Sequence, residues 1–307
     1  MKENATRHVA GFVSILGRPN AGKSTLLNAF VGMKLAIVAD KPQTTRTSIQ
    51  GVLTEPGFQI VFLDTPGIHK AGSSIQKRMM DVVRNSLDER DVLLFLVDAS
   101  LPFSSADRDA VSLLQSSQAP AIVVFNKIDL VREKAKLLPL IEHYQKLHPF
   151  AAFVPISAQT GEGLEQLKQE IVARLPEGPL YFPEDHLTDQ PERFLASELI
   201  REKALLLTRE EVPHSVAVLI DKWEDQPAIT SIYATILVER GGQKRILIGA
   251  KGAMLKQIGT MAREEMEKLF GRKIYLSLFI KVQPDWREKA AFLDAIDWRT
   301  MTIADEN

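Results

Sequence analysis

Gly17-Arg18-Pro19-Asn20-Ala21-Gly22-Lys23-Ser24-Thr25 decides how this chain is read. The apolar run Phe12 to Leu16 precedes it and an apolar-periodic segment follows it, giving strand, glycine-rich turn and helix in order. The spacing G-x-x-x-x-G-K-S is that of a phosphate-binding loop. Gly17 and Gly22 let the backbone turn sharply and aim its N–H groups at an anion, and the helix that follows adds its positive end. Lys23 can reach outer phosphates and the Ser24 hydroxyl can ligate Mg²⁺. Gly17 to Thr25 are therefore candidate contacts for a nucleoside triphosphate.

Downstream, apolar runs repeatedly end in polar residues that suit the same ligand. Ile60 to Leu63 runs into Asp64-Thr65-Pro66-Gly67, where Asp64 can orient water on Mg²⁺ and Gly67 can offer its N–H to the terminal phosphate. Ala121 to Phe125 ends in Asn126-Lys127-Ile128-Asp129, and Phe153 to Ile156 ends in Ser157-Ala158. Strands alternating with helical patterns imply a mostly parallel sheet, which binds ligands at its carboxyl edge. Asp129 can accept from both the ring N–H and the exocyclic amine of guanine, a donor pair that adenine lacks. Lys127 can lie along the base and Asn126 can bridge it to the phosphate loop. Ala158 can donate its N–H to the guanine carbonyl. The expected ligand is thus GTP or GDP with Mg²⁺.

The bulk properties bound the rest. A chain of 307 residues has room for two domains, and a net charge of −1 leaves nucleic-acid contacts to a local patch. Cysteine is absent, which removes disulfides, thiolate catalysis and cysteine-ligated zinc. The first eight residues lack the apolar core of a signal peptide, and no run approaches the ~18 apolar residues of a membrane span. A soluble, cytoplasmic protein is expected.

Pro176-Glu177-Gly178-Pro179 ends the first half, and the pattern beyond reads α-β-β-α-α-β. Gly249-Ala250-Lys251-Gly252 joins two helical segments there. Such a turn lets an RNA backbone approach closely, as in KH domains. From Arg240 to Arg263 there is no Asp or Glu, while Lys244, Arg245, Lys251 and Lys256 are present. That makes a basic patch, and those four residues with Gly249, Ala250 and Gly252 are the candidate RNA contacts.

The motifs from Gly17 to Ser24, Asp64 to Gly67, Asn126 to Asp129 and Ser157-Ala158 resemble the Ras-like GTPase superfamily. Within it, Gly17-Arg18-Pro19-Asn20, Gln43-Thr44-Thr45-Arg46 and Asp64 to His69 look like the Era family, as do Glu198 to Lys203 and Gln243 to Gly249 in the second half. The likeness implies an Era-type α/β P-loop GTPase domain over 8–176, a linker over 177–190, an α+β type II KH domain over 191–285 and a tail over 286–307. It implies that Thr45 sits in switch I and ligates Mg²⁺ beside Ser24 and Asp64, so that Lys23, Thr45, Asp64 and Gly67 carry catalysis. It implies binding to the 3′ end of 16S ribosomal RNA, assistance in 30S subunit assembly, and peripheral association of a monomer with the inner membrane.

Ile68 stands where Ras-type sites have a water-orienting glutamine, so slow intrinsic turnover is expected. Asn20 suggests K⁺ against the phosphates, as in related GTPases with asparagine there. Other readings stay open at this point: a phosphotransferase using the same loop, an RNA-binding scaffold with a structural guanine nucleotide, and a tRNA-modification-type GTPase. The last shares Asn20 and Thr44-Thr45-Arg46, although that family ends in other domains. Trp286 and Trp298 are expected to be packing anchors.

Overall fold

A computed structural model describes residues 8–41, 44–69, 72–88, 90–209 and 212–299. Gln43 and the last part of the tail, 300–307, lie outside the described residues. The first half runs β1 (Val9–Gly17), α1 (Lys23–Val31), β2 (Ile49–Glu55), β3 (Phe58–Asp64), α2 (Ser74–Asn85), β4 (Val92–Asp98), α3 (Ser105–Ser112), β5 (Ala121–Asn126), α4 (Leu137–Gln145), β6 (Ala152–Pro155) and α5 (Leu164–Val172). The six strands form one sheet in the order β2-β3-β1-β4-β5-β6. Only β2 is antiparallel to its neighbour. Sequences such as Val92-Leu93-Leu94-Phe95-Leu96-Val97 are apolar throughout because such a strand is covered on both faces.

This topology positions the ligand elements. Strand β1 is central, pairing Ile15 with Asp64 of β3 and Gly17 with Leu96 of β4. The glycine-rich turn therefore leaves the sheet between the ends of two neighbouring strands. Asp98 pairs with Asn126 one strand further along. One apolar cluster under this edge holds Leu16, Phe95, Phe125 and Tyr144, with the rings of Phe125 and Tyr144 edge-on at 5.6 Å. Tyr144 belongs to α4, a helix the sequence reading left out. Its buried residues Leu137, Leu140 and Tyr144 follow helical spacing, and Pro139 falls in the first turn, where proline is tolerated. The connecting segment after α5 is fixed along β2 and β3. Buried Gln59 donates to the Phe182 carbonyl and accepts from the Tyr181 and Phe182 N–H groups, and Val52 N–H donates to the Leu187 carbonyl at 2.8 Å.

The second compact unit comprises Gln190–Asn307 with the short segments Ile37–Thr44 and Gly72–Lys77. Its elements are α6 (Glu192–Leu207), α7 (Val212–Ser215), β7 (Ala217–Asp225), β8 (Thr230–Val238), α8 (Gly241–Ile248), α9 (Ala253–Phe270), β9 (Ile274–Val282) and α10 (Ala290–Ala295). The sheet order is β7-β8-β9, with β8 antiparallel to β7 and parallel to β9. Apart from the single turn α7 and the terminal α10, this is the anticipated α-β-β-α-α-β order. Strand β7 starts only at Ala217, because Val212–Ser215 closes into a helical turn in which Ser215 Oγ donates to the Val212 carbonyl. Ile200, Ile232, Ile236, Ile258, Ala262 and Met266 share one core between the helices and one face of the sheet. Trp286 is fully buried and donates its indole N–H to the Ser215 carbonyl at 2.8 Å, which makes it a packing anchor.

Candidate nucleotide site and nucleic-acid groove

The phosphate loop spans the step from β1 into α1. Gly22 sits at φ 94°, and a β-carbon there would stand 2.2 Å from Asn126 Nδ2, so both conformation and space demand glycine. Lys23 is the first helical residue and is buried. Its ammonium folds back over the loop to donate to the carbonyls of Gly17 at 3.2 Å and Arg18 at 3.1 Å. Burial pulls its pKa down to about 8, against the attraction of Asp64.

Beside it, three side chains from three elements converge. Ser24 Oγ donates to Asp64 Oδ2 at 2.6 Å, lies 2.9 Å from Thr45 Oγ1, and Thr45 Oγ1 is 3.4 Å from the same carboxylate oxygen. Asp64 is fully buried, and burial raises its pKa to about 6 despite the opposing Lys23 charge and the Ser24 and Thr45 hydrogen bonds. Its Oδ1 is buried without a hydrogen-bond partner. Two hydroxyls and one carboxylate, with one of its oxygens unsatisfied, fit a hard cation that takes its remaining ligands from phosphate and water. Thr44 is turned away, with its hydroxyl on the carbonyls of Ala39 and Lys41. Thr65 and Pro66 lead out of β3, with the Thr65 hydroxyl on the Ile15 carbonyl at 2.8 Å. The Ile68 N–H donates to the Gly17 carbonyl at 3.0 Å and its side chain packs on the apolar cluster. That places Gly67 against Pro19, within 2.7 Å of where a β-carbon would be.

Asn126 braces the base-reading end. Its Nδ2 donates to the Ala21 carbonyl at 2.8 Å, while its Oδ1 accepts from the N–H groups of Lys127 at 2.8 Å and Ala158 at 2.9 Å. Three loops are thereby tied to one buried side chain. The Ala158 N–H, expected at a purine carbonyl, is directed to Asn126 in this structure. Lys127 adopts the left-handed conformation at φ 66° and pairs with Asp98 at 2.7 Å. Asp129 is exposed on the next turn, and Ser157 is buried with its hydroxyl accepting from the Thr160 N–H.

Two residues escaped the sequence reading. Asp98 ends β4 as Asp64 ends β3, a signal that was visible but given no role. Asp107, with Ser104, holds the Arg18 guanidinium at 3.1 and 3.0 Å, tethering the phosphate loop to the first turn of α3. The pattern Ser104-x-x-Asp107 is a capping box, which gave the local hint.

In the second unit, Gly249 to Gly252 forms the turn between α8 and α9. Gly249 is at φ 70°, with Met254 filling the space a β-carbon would take, and Lys251 holds the strained φ of 51°. Ala250, Lys251, Lys256 and Arg245 are exposed. A groove of about 380 Å³ begins at this turn, lined by Gly252, Leu255, Lys256, Arg263, Leu276 and Leu278 among others. Lys256 and Gly252 are thus brought to the groove together. Lys244 is not among its lining residues and instead covers the Phe279 ring at 5.4 Å. Arg263 is a groove cation the sequence reading passed over.

A phosphate loop with an acidic strand end and a base-reading loop, followed by helices joined at G-x-x-G, defines the class of GTPase domains linked to KH domains. Family profiles divide the chain alike: one described as 50S ribosome-binding GTPase matches residues 12–127, and one described as KH domain matches residues 211–287. A curated GTPase Era of Geobacter metallireducens is 48% identical over 300 residues, covering 97% of this chain and 100% of that protein. That of Geotalea uraniireducens is 50% identical over 285 residues, covering 92% and 96%. A single-substitution variant of Aquifex aeolicus Era bound to GDP·AlF4⁻ superimposes with a TM-score of 0.91 at 43% identity, covering 94% of this chain and 99% of that one. Era in complex with MgGDPNP and nucleotides 1506–1542 of 16S ribosomal RNA gives a TM-score of 0.92 at 43% identity, covering 95% and 99%. The chain belongs to the GTPase Era family.

Proposed function

We propose that this protein hydrolyses GTP as a molecular switch, binds the 3′ end of 16S ribosomal RNA through its second unit, and assists 30S subunit assembly. The observation that carries the reading is the buried convergence of Lys23, Ser24, Thr45 and Asp64, tied through Ala21 to Asn126. Water attacks the γ-phosphorus, the bond to the β-phosphate oxygen breaks, and GDP and phosphate leave. Lys23 and the loop amides stabilise charge spreading onto phosphate oxygens. Ser24, Thr45 and Asp64 would hold Mg²⁺, which would supply positive charge against the charge that develops on the phosphates. Thr45 and Asp64 report whether the γ-phosphate is present, so their loops order and relax with turnover. Asp129 selects guanine, and Gly249 to Gly252 with Lys256 and Arg245 meets the RNA backbone.

Ile68 packs inward and holds no nucleophile, which supports slow turnover without a partner. Asn20, left-handed at φ 62° in the loop, supports K⁺ as a phosphate-side cation, and equal GTPase rates in K⁺ and Na⁺ would remove that element. A cytoplasmic monomer that associates peripherally with the membrane follows from the family likeness. Among the described residues no helix is long and apolar enough to cross a membrane. The main test is phosphate release from GTP and from ATP, with and without an RNA ending in the 16S 3′ sequence. GTP-selective turnover raised by RNA is expected. Bound but unhydrolysed nucleotide under both conditions would favour the scaffold reading instead.

A further inference from the structure

Strand β9 presents two surfaces. Leu276 and Leu278 point into the groove beside α9, while Tyr275 and Phe279, alternating with them, stand on the opposite face of the sheet at 50% and 62% exposure. Parallel register sets Tyr233 of β8 beside Ser277, and antiparallel register sets Lys222 of β7 beside Tyr233, so these side chains share that outer face. The Tyr233 and Tyr275 rings lie 6.0 Å apart at 62°. Lys222 stands 5.8 Å from the Tyr233 ring and Lys244 stands 5.4 Å from the Phe279 ring.

Two exposed aromatic rings with a half-buried third, Tyr233, beside them on a sheet are unusual for a surface whose function is only solubility. The charges on the face favour an anion. Lys222 is offset by Glu224, and Asp221 is engaged by Thr235, but no carboxylate among the described residues pairs with Lys244 or with exposed Lys281. The face is also continuous with the groove, because β9 contributes to both and Lys244 reaches over its edge from the acid-free segment.

We infer that the outer face of this sheet is a second nucleic-acid surface, on which Tyr233, Tyr275 and Phe279 stack unpaired bases of an RNA strand leaving the groove around the edge of β9, with Lys244 and Lys281 on its phosphates. Base-on-ring stacking tolerates any sequence, so the groove would read and the sheet would hold. The inference rests on the RNA reading above.

The test uses the full-length protein and two RNAs from the 16S 3′ end, one of about eight nucleotides that fills only the groove and one of about thirty with unpaired flanks. Fluorescence anisotropy is measured for the parent, Tyr275→Ser/Phe279→Ser, the ring-preserving Tyr275→Phe/Phe279→Tyr, and Lys251→Glu/Lys256→Glu. Circular dichroism confirms folding of each. The serine pair is expected to weaken the long RNA about tenfold and spare the short one, while the ring-preserving pair keeps both. Thiouridine in the flank should crosslink to peptides holding Tyr275 or Phe279. Unchanged long-RNA affinity in the serine pair overturns the inference, as does loss of 30S-particle binding with naked RNA binding intact, which would assign the face to a protein. Undiminished binding of both RNAs to the Lys251→Glu/Lys256→Glu variant would refute the groove reading instead.

Discussion

The two binding regions of this chain solve recognition in opposite ways. At the nucleotide site the polar groups are buried and already engaged: Lys23 on carbonyls, Ser24 on Asp64, Asn126 on three loops. On the second unit the candidate contacts are mostly exposed lysines, an arginine and rings around a groove. A buried polar network distinguishes ligands by what it leaves unpaired, whereas an exposed basic surface gains affinity from charge and stacking. The first region should therefore fail sharply on single substitutions and the second gradually.

The sharpest break is expected at Asp129. Asp129→Asn exchanges the double acceptor for a group that also donates, and a site built on hydrogen bonds rejects a mispaired ligand by about 10⁴-fold. The preference for guanosine over xanthosine triphosphate should invert, read by competition against a fluorescent guanine nucleotide. Retained guanine preference would mean that another group reads the base.

Lys23→Ala comes next. Removing a charge from the terminal phosphates should lower kcat by roughly 10²–10³-fold. Single-turnover phosphate release, at nucleotide concentrations that saturate the variant, separates this from weaker binding. Chelation with EDTA should silence the parent to a similar degree, since Ser24, Thr45 and Asp64 would then have no ion to position. Hydrolysis that survives EDTA would argue against the Mg²⁺ assignment.

The contrast also explains what the sequence could tell. Gly17 to Ser24, Asp64 and Asn126 to Asp129 are legible because their chemistry depends on fixed spacing at strand ends. The Ala158 N–H shows the limit: spacing placed it at the base, but its use by Asn126 depends on how three separate loops meet. The same limit hid Asp107, which reaches Arg18 across 89 positions. Helix α4 was missed because charged residues and Pro139 mask a short apolar stripe. On the second unit, Ile274 to Val282 reads simply as a last strand, and its division into a groove face and an open aromatic face appears only once the register with β8 is known.

Lys251→Glu/Lys256→Glu probes the gradual side. Reversing two phosphate-facing charges should weaken RNA about tenfold or more at low salt and flatten the salt dependence by about two counterions. GTP turnover without RNA should stay at the parental rate. A steep loss of basal turnover would show that the regions are not as separable as their chemistry suggests.

The smallest expected effect lies at the tether between Arg18 and Asp107, where the regions' two styles meet in one pair. Arg18 is 38% exposed and Asp107 10%, so the ion pair is screened on one side and is worth about 1 kcal/mol or less. Arg18→Ala should therefore raise KM for GTP by only two- to fivefold, within what ~1 kcal/mol allows, and leave kcat near parental. Arg18 acts here as a positioning residue: its guanidinium holds the loop from outside while its carbonyl accepts from Lys23 within. The split between KM and kcat is the informative readout. A loss confined to kcat would instead place the guanidinium on the reacting phosphate, and Arg18 would then belong with Lys23 among the groups that stabilise the transition state.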